Sequence, residues 1–272
     1  MDLQALQANS SLHTHTVFCD GADDVETMCR VAYEKGLAAI GFSAHAPIYE
    51  KTGWKTNWHL RDFAAYTAEI QAAKIRWNGK IAVYAGLEVD FVKGLIGPAD
   101  FKDAGLDYLI GSVHYLVPLC GAHFAVDGSA AELERGIALF GGVEALVNAY
   151  WDAEEALIAE GGFDILGHID IIKKNNGNGS YFSETDPFYV ERITRIADLI
   201  AAAHTQRNIA VEVNTGGLNR GKTTEIYPSP ALLRLLRERN VPVILTSDAH
   251  CAEHLDGNYP AARFEMEKAG YL

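Results

Sequence analysis

The chain has 272 residues, 49% hydrophobic and 10% aromatic, with a formal net charge of −13. That length and apolar content support a large core and exclude a disordered chain. No apolar run reaches the roughly 18 residues of a membrane span. The acidic balance is the opposite of the clustered Lys and Arg of a nucleic-acid surface, but it does not exclude a small anionic substrate, because bound cations can reverse the field of a site.

The first ten residues are polar and lack the basic and apolar segments of a secretory signal. Cys19, Cys29, Cys120 and Cys251 form no CxxC pair. They read as reduced thiols, and the protein as cytoplasmic. Residues 10–16 make a short first strand ending in His13-Thr14-His15. Asp23 and Asp24 can cap a helix with the stripe Val25, Met28, Val31 and Ala32, which Gly36 ends. Residues 37–42 form a second strand running into Ser43-Ala44-His45. Residues 46–59, with Pro47, Gly53, Trp54 and Trp58, read as a long loop of the kind that serves as a lid. Residues 60–77 are helical on the stripe Phe63, Tyr66, Ile70 and Ala73. Residues 81–87 make a third strand that terminates in Glu88, and 106–110 a fourth that leads to His114.

Residues 115–141 read as loop with a short helical piece at 130–135, followed by an amphipathic helix over 143–158. Residues 163–166 form a fifth strand entering Gly167-His168. Asp186-Pro187 opens another helix. Residues 209–213 are the sixth strand, reaching Asn214, and Ser229-Pro230 opens the next helix. Residues 241–245 are the seventh strand, ending in Thr246-Ser247-Asp248-Ala249-His250, before a last helix over 259–268. No linker divides residues 1–272, and no internal repeat is present. Strand–helix alternation of this kind predicts a parallel α/β barrel in one domain.

The ligand-type residues fall in one structural position. His13 and His15, His45, Glu88, His114, His168, and Asp248 with His250 all stand at or just past the C-terminal ends of predicted strands. In barrels that end carries the chemistry. Residues two apart on a strand share a face, so His13 with His15, and Asp248 with His250, can address one site. Imidazole and carboxylate donors suit zinc, manganese or iron, and a set without cysteine leaves an open, hydrolytic site. A lone histidine is more often a hydrogen-bonded core or surface residue. His59, His123, His204 and His254 match no strand end and are read that way.

The segments SLHTHTVFCDGADD, GFSAHAP, YAGLEVDFVKG, DYLIGSVHYL, DILGHIDIIKK, VEVNTGGLNRG with EIYPSPALL, and ILTSDAH span nearly the whole chain. In that order they resemble the PHP (polymerase and histidinol phosphatase) superfamily, and within it the histidinol-phosphate phosphatases. The resemblance implies a distorted (β/α)7 barrel, TIM-like, with three divalent ions. One ion would take His13, His15, Glu88 and Asp248. A second would share Glu88 with His114 and His168. A third would take Asp20, His45 and His250. Three such ions against Asp20, Glu88, Asp248 and a hydroxide leave about +2, which suits a phosphate dianion. The implied reaction is hydrolysis of L-histidinol phosphate to L-histidinol and phosphate, a step of histidine biosynthesis. A metal-bridging hydroxide would be the nucleophile, with Glu88, Asp248 and His250 as the catalytic set.

Four polar residues near strand ends are candidates for phosphate: Arg220, Lys173, Lys174 and Asn214. The stretch from Trp54 to His59 can cover an imidazole-bearing substrate or plug the barrel rim. The segment VPLCGAHFAVDG fits the family loosely, so another small phosphorylated metabolite is the alternative substrate. A nucleic-acid-processing domain is disfavoured by the acidic balance. A barrel that binds metal only structurally is disfavoured by the complete, open ligand set. The sequence does not set the oligomeric state.

Overall fold

The computed structural model describes residues 9–54, 56–118, 121, 123–177 and 179–272. Cys120, Lys55 and most of the polar N-terminal stretch lie outside them. The elements in chain order are β1 (Ser10–Ser11), α1 (Val25–Glu34), β2 (Ala39–Phe42), α2 (Tyr49–Thr52), α3 (Phe63–Arg76), β3 (Ala82–Asp90), β4 (Tyr108–Ser112), β5 (Tyr115–Leu116) and β6 (Phe124–Ala125). There follow α4 (Ala130–Phe140), α5 (Val143–Glu160), β7 (Ile165–Leu166), α6 (Pro187–Arg207), β8 (Ala210–Asn214), α7 (Gly216–Asn219), α8 (Pro230–Glu238), β9 (Val243–Thr246) and α9 (Tyr259–Ala269). No helix among the described residues is long and apolar enough to cross a membrane.

Seven strands form one parallel sheet in the order β1-β2-β3-β4-β7-β8-β9. Its two ends meet just past the strands. The backbone N–H of His15 donates to the Ala249 carbonyl at 2.8 Å, and that of Ala249 to the His13 carbonyl at 3.2 Å. The distorted (β/α)7 barrel is therefore closed by the two segments richest in ligand-type side chains. Asp248, at φ 48°, lies in the left-handed region. A non-glycine residue held there is strained, and such strain concentrates at functional sites.

Strand alternation builds the barrel interior in layers. Leu12, Tyr84, Tyr108, Ile110, Ile165, Ala210 and Ile244 form an apolar floor. The Tyr108 ring fills it and occupies the space a Cβ would need at Gly41 and Gly86, so those strands carry glycine. On the same faces, two and four residues further along, stand Gly86 and Glu88 above Tyr84, Glu212 above Ala210, and Thr246 and Asp248 above Ile244. The apolar floor thus carries a polar storey at the C-terminal mouth. Helices cover the outside through a separate core that includes Phe42, Leu87, Trp151, Ile196 and Leu233.

Several expectations change in detail. Glu88 lies inside β3 and not beyond its end, because β3 pairs with β4 through Asp90. The 46–59 loop contains a helical turn, α2, closed by Gly53 at φ 71°. The 115–141 stretch holds the β5–β6 hairpin, and its helix runs on through Phe140. Gly136, inside that helix, sits where the Phe124 ring packs too closely for any side chain. Behind the His168 strand, buried Tyr150 Oη lies 2.7 Å from Glu154 Oε1 and 2.8 Å from the Ile169 carbonyl. Burial pushes the Glu154 carboxyl well above its ordinary pKa.

Candidate metal centre

All nine ligand-type residues converge at the barrel mouth. Glu88 is the hub: His45 Nδ1 lies 3.0 Å and His13 Nε2 3.2 Å from its carboxylate. His168 Nε2 is at 2.9 Å, His114 Nε2 at 3.4 Å and His15 Nε2 at 3.6 Å. Asp248 faces His15 at 3.3 Å, and Asp20 faces His250 at 3.1 Å. Donor atoms close enough to share an ion form four overlapping groups: His15, Asp20, His45 and His250; His13, His15 and Glu88; His13, His168 and Asp248; and His45, Glu88 and His114. The first contains the third set expected from the resemblance, with His15 added. The first expected set is divided, with His13, His15 and Glu88 in one group and Asp248 in another with His13 and His168, while Glu88 and His114 group with His45 instead of His168.

Two carboxylates that the sequence reading passed over set the imidazole orientations. Glu212, wholly buried, accepts from His13 Nδ1 at 2.8 Å, Thr246 Oγ1 at 2.8 Å, Asn214 Nδ2 at 2.9 Å and the His168 N–H. Burial alone would raise its pKa; His13 and the other donors outweigh that and hold it below the usual range. Asp90 lies between His114 Nδ1 (2.7 Å) and His59 Nε2 (2.6 Å). In both cases the carboxylate accepts from Nδ1–H and turns Nε2 inward, the carboxylate–histidine arrangement of metal sites. The signals were legible: a charged residue inside the apolar strand Val211-Glu212-Val213, and Asp90 two residues beyond Glu88 on the same face. His59 is the buried, hydrogen-bonded histidine the sequence reading expected, and its partner Asp90 ties the 56–60 segment to a ligand. Asp90→Asn is expected to weaken metal retention by about 10- to 100-fold, read by titration with a chelator of known affinity.

Electrostatics favour bound cations. Five carboxylates (Asp20, Glu88, Asp90, Glu212 and Asp248) cluster here beside Arg220. Such a concentration of buried negative charge is costly unless paired. Burial works to lower the pKa values of His13, His45 and His114, yet the carboxylates raise all three. The field that holds protons there is the field that holds metal ions. His15 is the exception: burial, His250 and His45 push it down to about 3, leaving a neutral imidazole. Nε2 of His13 and of His15 are buried without any hydrogen-bond partner. Orphaned, inward-facing imidazole nitrogens beside carboxylates fit divalent cations of the zinc, manganese or iron type. Cys19 Sγ lies 3.6 Å from His15 Nδ1, but burial pushes its thiol up to about 11, so it stays protonated.

A cavity of about 210 Å³ opens on this cluster, lined also by Trp58, Tyr115, Asp127 and Arg220. Arg220 Nη2 lies 3.0 Å from Asp248 and Nη1 3.1 Å from His250 Nδ1, which puts its guanidinium at the cavity wall. Gly216 makes room for this arrangement, since a Cβ there would strike the Asp248 side chain. The other three phosphate candidates are placed elsewhere. Asn214 is buried, with Nδ2 donating to Glu212 and Oδ1 accepting from the Gly216 N–H at 2.7 Å. Lys173 is turned away, 3.3 Å from Asp170 and over the Tyr227 ring. Lys174 Nζ is held by Asp127. In each case a nearby polar partner inside the fold claims the group.

The PHP domain family model matches residues 11–216. A probable histidinol-phosphatase of Deinococcus radiodurans is 32% identical over 268 residues, covering 95% of this chain and 92% of the relative. A histidinol-phosphatase of Bacillus subtilis is 26% identical over 273 residues, covering 92% of this chain and 96% of the relative. The crystal structure of hisK from Listeria monocytogenes superposes with a TM-score of 0.80 at 24% identity, covering 93% of this chain and 99% of the other. That of histidinol phosphate phosphatase from Lactococcus lactis, complexed with zinc, L-histidinol and phosphate, gives 0.68 at 20% identity, covering 97% and 95%. At those identities the two structures speak to the fold.

Proposed function

The chain belongs to the PHP domain family, and from that membership we propose that it hydrolyses L-histidinol phosphate to L-histidinol and phosphate, a phosphomonoesterase of histidine biosynthesis. The observation that carries the chemistry is Glu88, a buried carboxylate approached by five imidazoles at the mouth of a cavity of about 210 Å³. The names of the two curated relatives, matched along nearly their whole length, support the substrate. We read residues 1–272 as one catalytic domain, working in the cytoplasm, where this metabolite would be made.

We assign the metal ligands as His13, His15, Asp20, His45, Glu88, His114, His168, Asp248 and His250, holding three divalent ions of zinc, manganese or iron type. When bound, such ions bring the pKa of water near neutrality and neutralise phosphoryl oxygens. The chain's own groups do the rest. Glu212 and Asp90 fix the imidazoles. Arg220 contributes a planar pair of donors for phosphoryl oxygens. The proton for the leaving alkoxide is assigned to the Asp248–His250 end, where His250 is the most exposed of the site imidazoles, at 21%. The aromatic wall of Trp58 and Tyr115, joined by a 3.1 Å hydrogen bond from Trp58 Nε1, lines the same cavity and offers a surface for the imidazole of the substrate.

A kinetic panel tests the substrate. L-histidinol phosphate is expected to exceed unrelated phosphate monoesters in kcat/KM by about 100-fold or more. Comparable turnover of glycerol phosphate or p-nitrophenyl phosphate sinks the assignment and leaves a general phosphoesterase. Arg220→Ala is expected to raise KM by about 30-fold with a smaller effect on kcat; unchanged kinetics mean that another cation holds the phosphate.

A further inference from the structure

The cavity wall contains a carboxylate that no candidate metal group uses. Among its described lining residues, Asp20, Glu88 and Asp248 each belong to such a group and Asp127 to none. The fold goes to some length to put Asp127 there. After His114 the chain makes the β5–β6 hairpin and returns, so that the Val126 N–H donates to the His114 carbonyl at 2.9 Å. The next residue is Asp127. From the other side, the segment that follows His168 clamps the same turn. Lys174 Nζ donates to the Asp127 carbonyl at 2.7 Å and to Oδ2 at 3.2 Å, and Asn175 Nδ2 donates to the Gly128 carbonyl at 2.8 Å.

The clamp leaves Asp127 with acceptor capacity facing the cavity. Its Oδ1 takes no hydrogen bond from a described residue, and a carboxylate has room for about four donors in all. Lys174, the inner partner of the pair, is 13% exposed against 38% for Asp127. The lysine is used up on one carboxylate oxygen and the backbone, while the other oxygen is free for a ligand.

The chemistry of the substrate asks for such a group. L-histidinol phosphate carries its ammonium on the carbon next to the phosphoester methylene. Whatever receives that cation must therefore stand close beside the phosphate site. A cavity of about 210 Å³, bounded by Arg220 and the metal-type residues, places Asp127 on the same small wall. On the basis of the substrate reading above, we propose that Asp127 receives the α-ammonium of the substrate and sets specificity for amino-alcohol phosphates. Lys174 and Asn175 act as positioning residues that hold its turn. Burying a cation against a preset carboxylate rejects a ligand that lacks it, because the carboxylate is then left desolvated without a partner.

The test compares two substrates that differ only in the amine: L-histidinol phosphate and 3-(imidazol-4-yl)propyl phosphate. The readout is the ratio of their kcat/KM values in the metal-loaded wild type and in Asp127→Asn, which keeps the backbone carbonyl that Lys174 binds. The ratio is expected to fall by about 30-fold, mainly through KM for the amine-bearing substrate. Asp127→Glu should return part of the preference, and inhibition by L-histidinol, which needs no turnover, should weaken in parallel in Asp127→Asn. A ratio that stays within about threefold of wild type, with both substrates losing activity together, overturns the proposal and makes Asp127 a hairpin clamp. If the wild type itself shows no preference for the amine-bearing substrate, the substrate reading fails as well. If it does prefer that substrate and Asp127→Asn keeps the preference, only the Asp127 assignment falls.

Discussion

Replacing Glu88 by Ala lowers kcat/KM by about ten-thousand-fold, the largest loss expected from any single substitution in this chain. The reason is geometric. Five imidazoles point at one carboxylate, from 2.9 Å for His168 to 3.6 Å for His15. Removing it deletes the donor common to two of the candidate ion groups and leaves the imidazoles facing one another across a low-dielectric pocket. Truncating one partner of a buried charged cluster costs about 3–5 kcal/mol before any catalytic effect is counted. Glu88→Gln keeps the volume and removes the charge, so it separates packing from ligation and is expected to behave like Ala. Steady-state kinetics with metal content by mass spectrometry on the same samples decide the matter. A Glu88→Ala enzyme with full metal content and activity within about tenfold of wild type would falsify the central role given to this residue.

Stripping metal from the purified protein gives the second large effect. A chelator should abolish phosphatase activity, and stoichiometric zinc or manganese should restore it. Folding stability should fall in step, because ions that bind only the native state stabilise it by mass action. At about a thousand times the dissociation constant that is roughly 4 kcal/mol per site, or on the order of 10 °C in Tm for a chain of this size. The signs follow from the site itself. Without cations, Asp20, Glu88, Asp90, Glu212 and Asp248 repel one another, a repulsion that Arg220 and protons taken up on His13, His45 and His114 relieve. Metal loading must expel those protons, so proton release measured in weakly buffered solution on adding zinc is an independent check. Full activity after verified chelation contradicts the metal mechanism outright.

Lys174 shows how the fold can commit a residue of the right type to another partner. A lysine just past a strand end in a phosphatase invites assignment to phosphate. In the fold it reaches across to Asp127 instead, and among the described lining residues the Lys or Arg that faces the cavity is Arg220, from the turn after Asn214. Asn214 likewise stands at a strand end, but its amide lies below the mouth, bonded to Glu212. Strand-end position is readable in sequence. The direction of a side chain beyond the strand is not, because outside the pleat nothing in the local pattern fixes it.

The sequence by itself determined the architecture and the identity of the clustered donors. Strand–helix alternation is a local pattern, and barrel topology turns every strand end toward one mouth, so His13, His15, His45, Glu88, His114, His168, Asp248 and His250 had to converge once the strands were placed. The tertiary structure alone decided which carboxylate serves which imidazole. Glu212 and His13 are 199 residues apart, and Asp127 and Lys174 are 47 apart. Such pairs are made by the closing of the barrel and by the return of a hairpin, where the geometry of several strands adds up. No local periodicity encodes them, because each side chain finds its partner only when the whole sheet has curled to bring the two together.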